Sequence, residues 1–373
     1  MNKKIAMLFP YAPSYREGIY CLMDKELDVD WYFAGNAIRN LRLLDYSVLQ
    51  SCDLSMEEKH IFSSVFTRYK GIGKLPLKQY DVIIIAGVIR CVSEWMILLK
   101  YGRKKNRPKV YCWTHGWYGK ETKIQKIIKK IFFSHVDGFL LYGDYAKNLM
   151  IKEGFNPNRL YVIKNSLDYD KQLKLRNSIS ESSIYSSHFK NSFQNIIFIG
   201  RLTPVKKLSL IIEAVKILIQ KGYYLNLTFV GDGEEKENLQ MLVKSYGLED
   251  RVWFYGESFD EKTNANLIYN SDLCVAPGNV GLTAIHCLMF GCPVITHDDL
   301  KWQMPEFEAI KEGKTGAFFK KNDINSLANS ILTWLEAHQG QRDVTRSLCY
   351  EEIDHFWNPR YQLSVIDKVL NNI

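Results

Sequence analysis

Short apolar runs alternate with helix-period segments along most of the chain. In the first half several of the apolar runs end in glycine or a polar residue. They predict buried parallel strands at Lys4–Tyr11, Val29–Gly35, Tyr80–Gly87, Lys109–His115, Gly138–Gly143 and Leu160–Ile163. Helical patterns lie between some of them, at Cys91–Tyr101, Thr122–Phe133 and Asp144–Glu153. The alternation indicates a doubly wound α/β sheet.

The same alternation begins again in the second half. It predicts strands at Asn195–Gly200, Leu225–Gly231, Val252–Tyr255, Leu273–Ala276 and Pro293–Thr296, and helices near Leu208–Lys221, Lys236–Tyr246 and Thr283–Phe290. Residues 176–195 are rich in Ser and Asn, which is typical of a linker. We therefore predict two Rossmann-like domains, at 1–185 and 186–356, and an amphipathic helix at 357–373 that packs back on the first domain. Two such sheets bind ligands at the carboxyl ends of their strands.

The composition fits a folded, two-domain protein. The chain has 373 residues, of which 46% are apolar. The apolar run Ile5–Phe9 resembles a signal peptide, but Pro10 and Pro13 follow it without a small-residue cleavage site, so we expect a buried strand. No stretch approaches the roughly 18 apolar residues of a transmembrane helix. Eight cysteines lie far apart without zinc spacing, and we expect reduced thiols in the cytoplasm.

The net charge of +8 is unevenly distributed. Residues 1–190 carry 31 Lys and Arg against 18 Asp and Glu, whereas the rest carry 18 against 23. Residues 100–133 hold eleven cations and one acidic residue, Glu121. Within this stretch one helical face carries Ile124, Ile127, Ile128 and Ile131, and lysines flank it at Lys123, Lys126, Lys129 and Lys130.

This pattern is typical of a helix lying on an anionic membrane. The alternative is that the isoleucines face the core and the lysines are simply solvated. Nucleic acid would also explain a basic patch, but no recognisable nucleic-acid-binding motif supports it. We therefore expect peripheral membrane contact through 100–133 and no nucleic-acid partner.

Two strand ends carry candidate chemistry. The first, Phe198–Lys207, reads F-I-G-R-L-T-P-V-K-K and places Arg201 and Lys206 at the mouth of the predicted sheet, where they can bind a diphosphate. The second, Ala276–Thr283, reads A-P-G-N-V-G-L-T and leads into a helix, so its N–H groups form an anion-binding loop. Ordinary turns with surface cations are the alternative at both places.

These motifs resemble the nucleotide-sugar-binding domain of GT-B glycosyltransferases, in particular the large retaining family 4 of the bacterial capsule and O-antigen type. The matching stretches are G-R-L-T-P-V-K at 200–206, F-V-G-D-G at 229–233, R-V-W-F-Y-G at 251–256, the glycine loop through G-C-P-V at 278–294, and M-P-E-F-E-A-I-K-E-G-K-T-G at 304–316. The first half is only loosely similar, through Pro10–Gly18 and Thr114–Gly116.

The resemblance implies a GT-B fold and a set of site residues. Arg201 and Lys206, with Lys207 as a substitute, are expected to bind the donor diphosphate, and His115 to lie near the reacting sugar. Further donor contacts are expected at Gly18, Gly256, Glu257, Gly278, Asn279, Val280, Gly281, Leu282 and His286. The alternative for His115 is a core histidine at a strand end.

One departure from the family concerns its two glutamates, which have seven residues between them. The corresponding positions hold Gly278 and His286. His286 can still form a hydrogen bond with a ribose hydroxyl, whereas Gly278 offers no side chain, and Asn279 is then the nearest candidate for the sugar. An inactive relative is therefore an alternative.

The resemblance further implies retaining transfer without a metal or cofactor. Arg201, Lys206 and the helix N-terminus would stabilise the charge on the leaving diphosphate. With no carboxylate pair to act as acid and nucleophile, a front-face route is expected, in which the leaving phosphate accepts the acceptor's proton. Asp168-Tyr169-Asp170 has the spelling of a metal motif, but it follows the last strand of the first half.

The sequence thus predicts a glycosyltransferase that uses a UDP- or GDP-linked sugar and a glycan acceptor, expected to be lipid-linked, in surface polysaccharide synthesis at the inner face of the cell membrane. Two alternatives stay open: a non-catalytic sugar-nucleotide-binding protein, because both glutamates are missing, and a GT-B sugar-nucleotide epimerase. The order of the family motifs argues against the epimerase.

Overall fold

A computed structural model describes residues 3–35, 42–61 and 65–371. It divides the chain into two compact units. Unit 1 comprises Met1–Asp168 and Asn358–Ile373, and unit 2 comprises Tyr169–Trp357. The division thus falls earlier than the predicted boundary between residues 185 and 186.

Unit 1 is built on a seven-stranded parallel sheet with strand order β3-β2-β1-β6-β7-β8-β9. The strands of unit 1 are β1 Lys4–Phe9, β2 Asp28–Phe33, β3 Cys52–Asp53, β4 Glu57–Ile61, β5 Phe66–Lys70, β6 Val82–Ile85, β7 Lys109–Thr114, β8 Gly138–Leu141 and β9 Leu160–Val162. Its helices are α1 Glu17–Glu26, α2 Val92–Tyr101, α3 Lys123–Ser134, α4 Asp144–Lys152 and α13 Pro359–Asn371. The two strands outside the main sheet, β4 and β5, form an antiparallel hairpin.

Unit 2 is built on a six-stranded parallel sheet with strand order β12-β11-β10-β13-β14-β15. Its strands are β10 Gln194–Ile199, β11 Leu225–Val230, β12 Val252–Gly256, β13 Leu273–Ala276, β14 Val294–His297 and β15 Gly316–Phe319. Its helices are α5 Tyr169–Ser178, α6 Ile184–Phe189, α7 Ser209–Gln220, α8 Lys236–Ser245, α9 Glu261–Tyr269, α10 Thr283–Met289, α11 Ile324–Ala337 and α12 Arg342–Phe356.

The central strands are buried on both faces because helices cover them on either side. All four residues of β6 are apolar and buried, and all six residues of β11 are buried although Asn226 and Thr228 among them are polar. The predicted strands and helices are found close to the expected bounds. The elements that were not predicted are β3, the β4–β5 hairpin, β15 and the helices α1, α5, α6, α9, α11 and α12.

Both sheets have a topological switch point. In unit 1 the chain leaves β1 toward β2 on one side and returns to β6 on the other, and in unit 2 β10 has the same place between β11 and β13. The loops after β1 and β6 in unit 1, and after β10 and β13 in unit 2, diverge there and leave a crevice in which doubly wound proteins bind ligands. In unit 2 these two loops are the predicted diphosphate loops.

The segment predicted as a linker, 176–195, is largely ordered in unit 2. It contains the end of α5 and all of α6. Tyr185 of α6 is buried, and its hydroxyl donates to the carbonyl oxygen of Leu267 at 2.8 Å. One buried aromatic side chain thus anchors a Ser-rich segment whose composition indicates a surface excursion.

The last helix, α13, belongs to unit 1. The fully buried Gln362 accepts a hydrogen bond from the Ser166 hydroxyl at 2.5 Å and donates to the carbonyl oxygen of Lys164 at 2.9 Å. Ile366, Val369 and Leu370 lie in the same apolar cluster as β1 and α1. Of the predicted segment 357–373, the last two residues lie outside the described residues.

Candidate functional site

The loops after β10 and β13 are joined at the switch point of unit 2. The Lys206 ammonium donates to the carbonyl oxygen of Asn279 at 2.7 Å. Arg201, directly after Gly200, is exposed. Lys207 has left-handed backbone (φ 51°) and its ammonium binds the side-chain oxygen of Asn322. The lysine that contacts the glycine loop is therefore Lys206.

Lys206 has an unusual electrostatic environment for a lysine. Burial lowers its pKa to about 8, the nearby Glu306 carboxylate acts in the opposite direction, and Arg201 lowers the pKa further. The ammonium form still dominates near pH 7. A partly desolvated cation beside an exposed guanidinium is well suited to bind an anion that replaces the missing hydration.

Gly278 is required by close packing. A Cβ atom at this position would lie 2.1 Å from the carbonyl oxygen of Val205 and 2.6 Å from Cα of Lys206. No glutamate fits there unless the backbone before Lys207 moves. The loss of the first family glutamate is therefore coupled to the position of the Lys206 loop.

Gln303 links the rest of the glycine loop to strand β14. Gln303, which is buried, accepts a hydrogen bond from the Val280 N–H at 2.9 Å and donates to the Thr296 hydroxyl at 2.8 Å. The Thr283 hydroxyl donates to the carbonyl oxygen of Ile199 at 3.1 Å, which fixes the start of α10 at the end of β10. Sequence reasoning missed Gln303, although it directly precedes the recognised 304–316 motif.

The predicted sugar- and phosphate-contacting positions follow in this loop. The Asn279 side-chain oxygen is buried and has no hydrogen-bond partner within the described residues. Gly281 has left-handed backbone with φ 54°, a conformation that glycine adopts at no steric cost. The loop thus places Gly281 and Leu282 directly before α10, as the sequence predicts.

The imidazole of His286 is paired with a carboxylate. Its Nε2 lies 3.0 Å from Oε1 of Glu261, the first residue of α9. The same carboxylate oxygen accepts a hydrogen bond from Nε2 of Gln172 at 2.8 Å. Sequence reasoning missed Glu261, because it lies 25 positions before His286 in a helix that carries no recognised motif.

The predicted base-reading positions lie at the end of β12. Gly256 has left-handed backbone (φ 94°), and its carbonyl oxygen accepts a hydrogen bond from the Gly231 N–H at 2.7 Å. Glu257, the next residue, is exposed. Their contact with the base of the donor nucleotide stays a prediction.

The predicted site residue of unit 1, His115, follows β7. Burial lowers the pKa of its imidazole to about 4, and the positive charges of Arg16 and Lys129 lower it further. The ring is therefore neutral at pH 7. It packs 4.7 Å from the Tyr142 ring, centroid to centroid.

Arg16, which sequence reasoning missed, lies beside His115 at the end of the β1 loop. Its guanidinium donates to the hydroxyls of Tyr142 and Tyr20 and lies 5.5 Å from the centre of the Trp113 ring. Among the described residues it has no carboxylate partner within ion-pair distance. Gly18 lies in the first turn of α1. A Cβ atom added there would lie 3.2 Å from Cγ of Pro359 and 3.4 Å from the carbonyl oxygen of Leu167.

A fully buried carboxylate, that of Glu94, supports the loop after β6 at the switch point of unit 1. Glu94, in the first turn of α2, accepts a hydrogen bond from the Val88 N–H at 2.7 Å. Burial raises the pKa of Glu94 to about 8, against the opposing effect of the backbone N–H groups of Val88 and Gly87.

The basic helix α3 presents its isoleucines to solvent. Ile124 and Ile127 are 70% and 59% exposed, and Ile128 and Ile131 are exposed as well. The alternative in which these side chains face the core is therefore wrong. The core is instead contacted by Phe132 and Phe133.

One predicted flanking lysine faces the interior. Lys129 is buried and forms an ion pair with Glu121 at 2.7 Å. Lys126 and Lys130 both pair with Glu153, at 2.5 and 2.8 Å. The prediction that Lys129 flanks the exposed face is thus wrong, because the capping segment before α3 carries its acidic partner.

Two general findings concern metals and membranes. Within residues 3–35, 42–61 and 65–371 there is no group of three or more His, Cys, Asp or Glu side chains arranged to hold a metal ion. None of the helices in the same residues has the length and apolarity that crossing a bilayer requires. The eight cysteines are free, and six of them are buried.

The whole chain matches known GT-B structures. It superposes on a glycosyltransferase from Rickettsia africae with a TM-score of 0.73 at 14% identity, covering 100% of this chain and 99% of that chain. It superposes on Anabaena Alr3699/HepE in complex with UDP with a TM-score of 0.70 at 17% identity, covering 99% and 100%. The protein is therefore a GT-B protein with two parallel α/β units.

Residues 182–347 match the family described as glycosyl transferases group 1. The chain is 30% identical over 199 residues to the uncharacterized glycosyltransferase MJ1059 of Methanocaldococcus jannaschii, covering 52% of this chain and 47% of that protein. An uncharacterized 41.2 kDa protein in the cps region of Klebsiella pneumoniae is 22% identical over 340 residues, covering 83% and 82%. The chain spans about half the length of the first curated relatives it matches. The residues that match the family lie within unit 2.

Proposed function

We propose that this protein is a glycosyltransferase that moves a sugar from a nucleotide-diphosphate donor to a glycan acceptor in surface polysaccharide synthesis. The observation that carries the proposal is the junction of Lys206 with the Asn279 loop at the switch point of unit 2, with Arg201 exposed beside it. Such a crevice favours a phosphorylated ligand because cations, N–H groups and a helix start converge on it.

The chemistry follows from where negative charge develops. As the bond between the sugar and the diphosphate breaks, charge grows on the leaving oxygen. Arg201 and the ammonium of Lys206 stabilise this charge more than that of the intact donor, which lowers the barrier. We propose retention by a front-face route, in which the leaving phosphate accepts the proton of the acceptor hydroxyl and no metal takes part.

His115 has a restricted role in this proposal. A neutral imidazole cannot stabilise the leaving group as a cation, but it can donate or accept one hydrogen bond. We assign it to positioning the transferred sugar. Unit 1 then binds the acceptor and unit 2 binds the donor.

The donor class is supported by the matched structures. HepE of Anabaena has been solved with UDP and with UDP-glucose. We therefore propose UDP-linked sugars first and GDP-linked sugars second. Gly278 leaves the sugar without the usual carboxylate, so Asn279 is the proposed contact to its hydroxyls.

The acceptor is proposed to be lipid-linked and reached at the cytoplasmic face of the membrane. Four exposed isoleucines on α3, with Lys123 at its start, form a surface that fits an anionic bilayer. Exposing isoleucine side chains to water on one helix face costs free energy that burial in the membrane interface recovers.

The proposal is tested by titrating UDP-, GDP-, CMP- and dTDP-linked sugars against the wild type and the variants Arg201→Ala, Lys206→Ala and Lys207→Ala. A donor at about 100 times its Kd should stabilise the wild type by roughly 3 kcal/mol. Arg201→Ala and Lys206→Ala should lose this stabilisation, whereas Lys207→Ala, whose ammonium faces Asn322, should keep most of it.

Two outcomes would contradict the proposed glycosyltransferase function. If no nucleotide sugar stabilises the folded wild type, the donor site is absent and the proposal fails. If one binds but no sugar is released from it to water or to any lipid-linked or glycan acceptor, the non-catalytic binding protein is the correct function.

A further inference from the structure

A carboxylate that no family motif contains lies in the donor unit. Glu261 begins α9, a few residues after β12 ends at Gly256, so it lies at the carboxyl end of the sheet. The side chain is 37% exposed, whereas that of His286 beside it is 15% exposed. Glu261 is therefore reachable from solvent at the sheet edge where doubly wound proteins bind nucleotides.

Both hydrogen bonds of the Glu261 carboxylate are made to the same oxygen atom. His286 Nε2 and Gln172 Nε2 both contact Oε1, at 3.0 and 2.8 Å. Within the described part of the chain, Oε2 has no hydrogen-bond partner. Two side chains from α10 and α5 thus fix the orientation of the group, and its second oxygen is free to accept hydroxyl protons.

The group is also held in its acceptor form. Burial acts to raise the pKa of Glu261, but the imidazole of His286 and the two hydrogen bonds outweigh it, so the pKa lies below its ordinary value. An ionised carboxylate only accepts hydrogen bonds, so it favours ligands with hydroxyl donors.

A vicinal diol is the chemistry that this arrangement fits best. A carboxylate at the sheet edge is the means by which doubly wound folds bind ribose hydroxyls. Here the junction of Lys206 with Asn279 is formed by the loops after β10 and β13, and Glu261 follows β12, so both lie at the carboxyl end of the same sheet.

We propose that Glu261 binds the ribose hydroxyls of the donor nucleotide, and that His286 and Gln172 are positioning residues that hold its carboxylate. This inference rests on the proposed function, since it assigns the nucleoside part of the same ligand. It replaces the direct contact predicted for His286 with one made through a neighbouring carboxylate.

The test compares UDP and GDP with their 2′,3′-dideoxy counterparts by calorimetric titration. The wild type should bind the ribose form about 10 to 100 times more tightly than the dideoxy form. Glu261→Gln should weaken binding of the ribose form about tenfold or more and leave the dideoxy form nearly unchanged, so that the preference collapses.

Matched controls separate this role from a structural one. Glu237→Gln removes the acidic residue from the first turn of α8 and should leave the preference intact. His286→Gln should reduce the preference in part, because Gln172 still holds the carboxylate. An equal loss of affinity for both forms in Glu261→Gln would overturn the proposal and assign the cluster to structure.

The wild type alone also decides the matter, should Glu261→Gln fail to fold. Binding of a nucleoside diphosphate without any preference for the ribose form would overturn this proposal and leave the proposed function standing. Failure of the wild type to bind UDP or GDP in either form, together with no stabilisation by any of the four classes of nucleotide sugar, would overturn both.

Discussion

The ammonium of Lys206 donates a hydrogen bond to the carbonyl oxygen of Asn279 and so joins two loops that leave the sheet on opposite sides of its switch point. This bond uses one of the three donors of the ammonium and leaves two for a ligand. The geometry of the proposed diphosphate site is therefore set in part by a contact between two loops of the protein itself.

The first prediction concerns pH. Because the pKa of Lys206 is lowered to about 8, its ammonium deprotonates as the pH rises through that value. The affinity for a nucleoside diphosphate should be constant from about pH 7 to 8 and fall about tenfold per pH unit above it. Calorimetric titration of UDP from pH 7 to 10 measures this.

The control for that profile is Lys206→Arg, since a guanidinium stays protonated throughout this range. The variant should bind with little pH dependence, whatever its affinity. The same fall above pH 8 in the variant would show that another group titrates.

The second prediction concerns Glu94. Its folded pKa of about 8 lies above its ordinary value, so the folded protein retains a proton that the unfolded chain loses between about pH 4.5 and 8. The stability of the wild type relative to Glu94→Gln should therefore fall as the pH rises through this window, by roughly 2 to 5 kcal/mol. Urea unfolding at pH 5 and pH 8 measures it, and a difference that does not change with pH would contradict it.

The third prediction concerns Gly278. Gly278→Ala places a Cβ within 2.1 Å of a backbone oxygen, so the Lys206 loop must move. We expect a loss of roughly 2 kcal/mol or more in unfolding free energy and weaker diphosphate binding. Gly73→Ala is the control, because a Cβ there meets nothing within 4 Å, and it should change stability by less than about 0.5 kcal/mol.

The fourth prediction concerns the exposed face of α3. Ile127→Glu should reduce binding to vesicles of roughly one third phosphatidylglycerol by about tenfold, without lowering Tm, because it removes apolar area and adds a repelled charge. Met241→Glu on α8, at a similarly exposed apolar position, should leave vesicle binding unchanged. Equal effects of the two substitutions would argue against α3 as the contact.

The sequence predicts most of the fold because buried parallel strands leave continuous apolar runs. Val82–Ile85 is an example, since all four residues are apolar and buried. β15 was not predicted because it has only four residues, Gly316–Phe319, and begins at the last residue of the 304–316 motif, and β3 was not predicted because two residues carry no period.

The candidate site could be predicted only where a motif is contiguous. Arg201, Lys206 and Gly281 lie in stretches of recognisable spelling. Glu261, Gln303 and Arg16 act through partners that are distant in the chain, and no local pattern distinguishes them from surface residues. The role of Gly278 depends on a close approach of Val205, which only three-dimensional packing reveals.

The assignment of α13 to unit 1 affects the order in which the protein can be assembled on the ribosome. Unit 2 is a single stretch of chain and can fold as soon as it has emerged. Unit 1 lacks the helix that buries Ile366 and Leu370 against its sheet until residues beyond unit 2 have been translated. The half of the protein that is synthesised first is therefore the half that is completed last, and a fragment ending at Asp168 would leave that apolar surface open to chaperones.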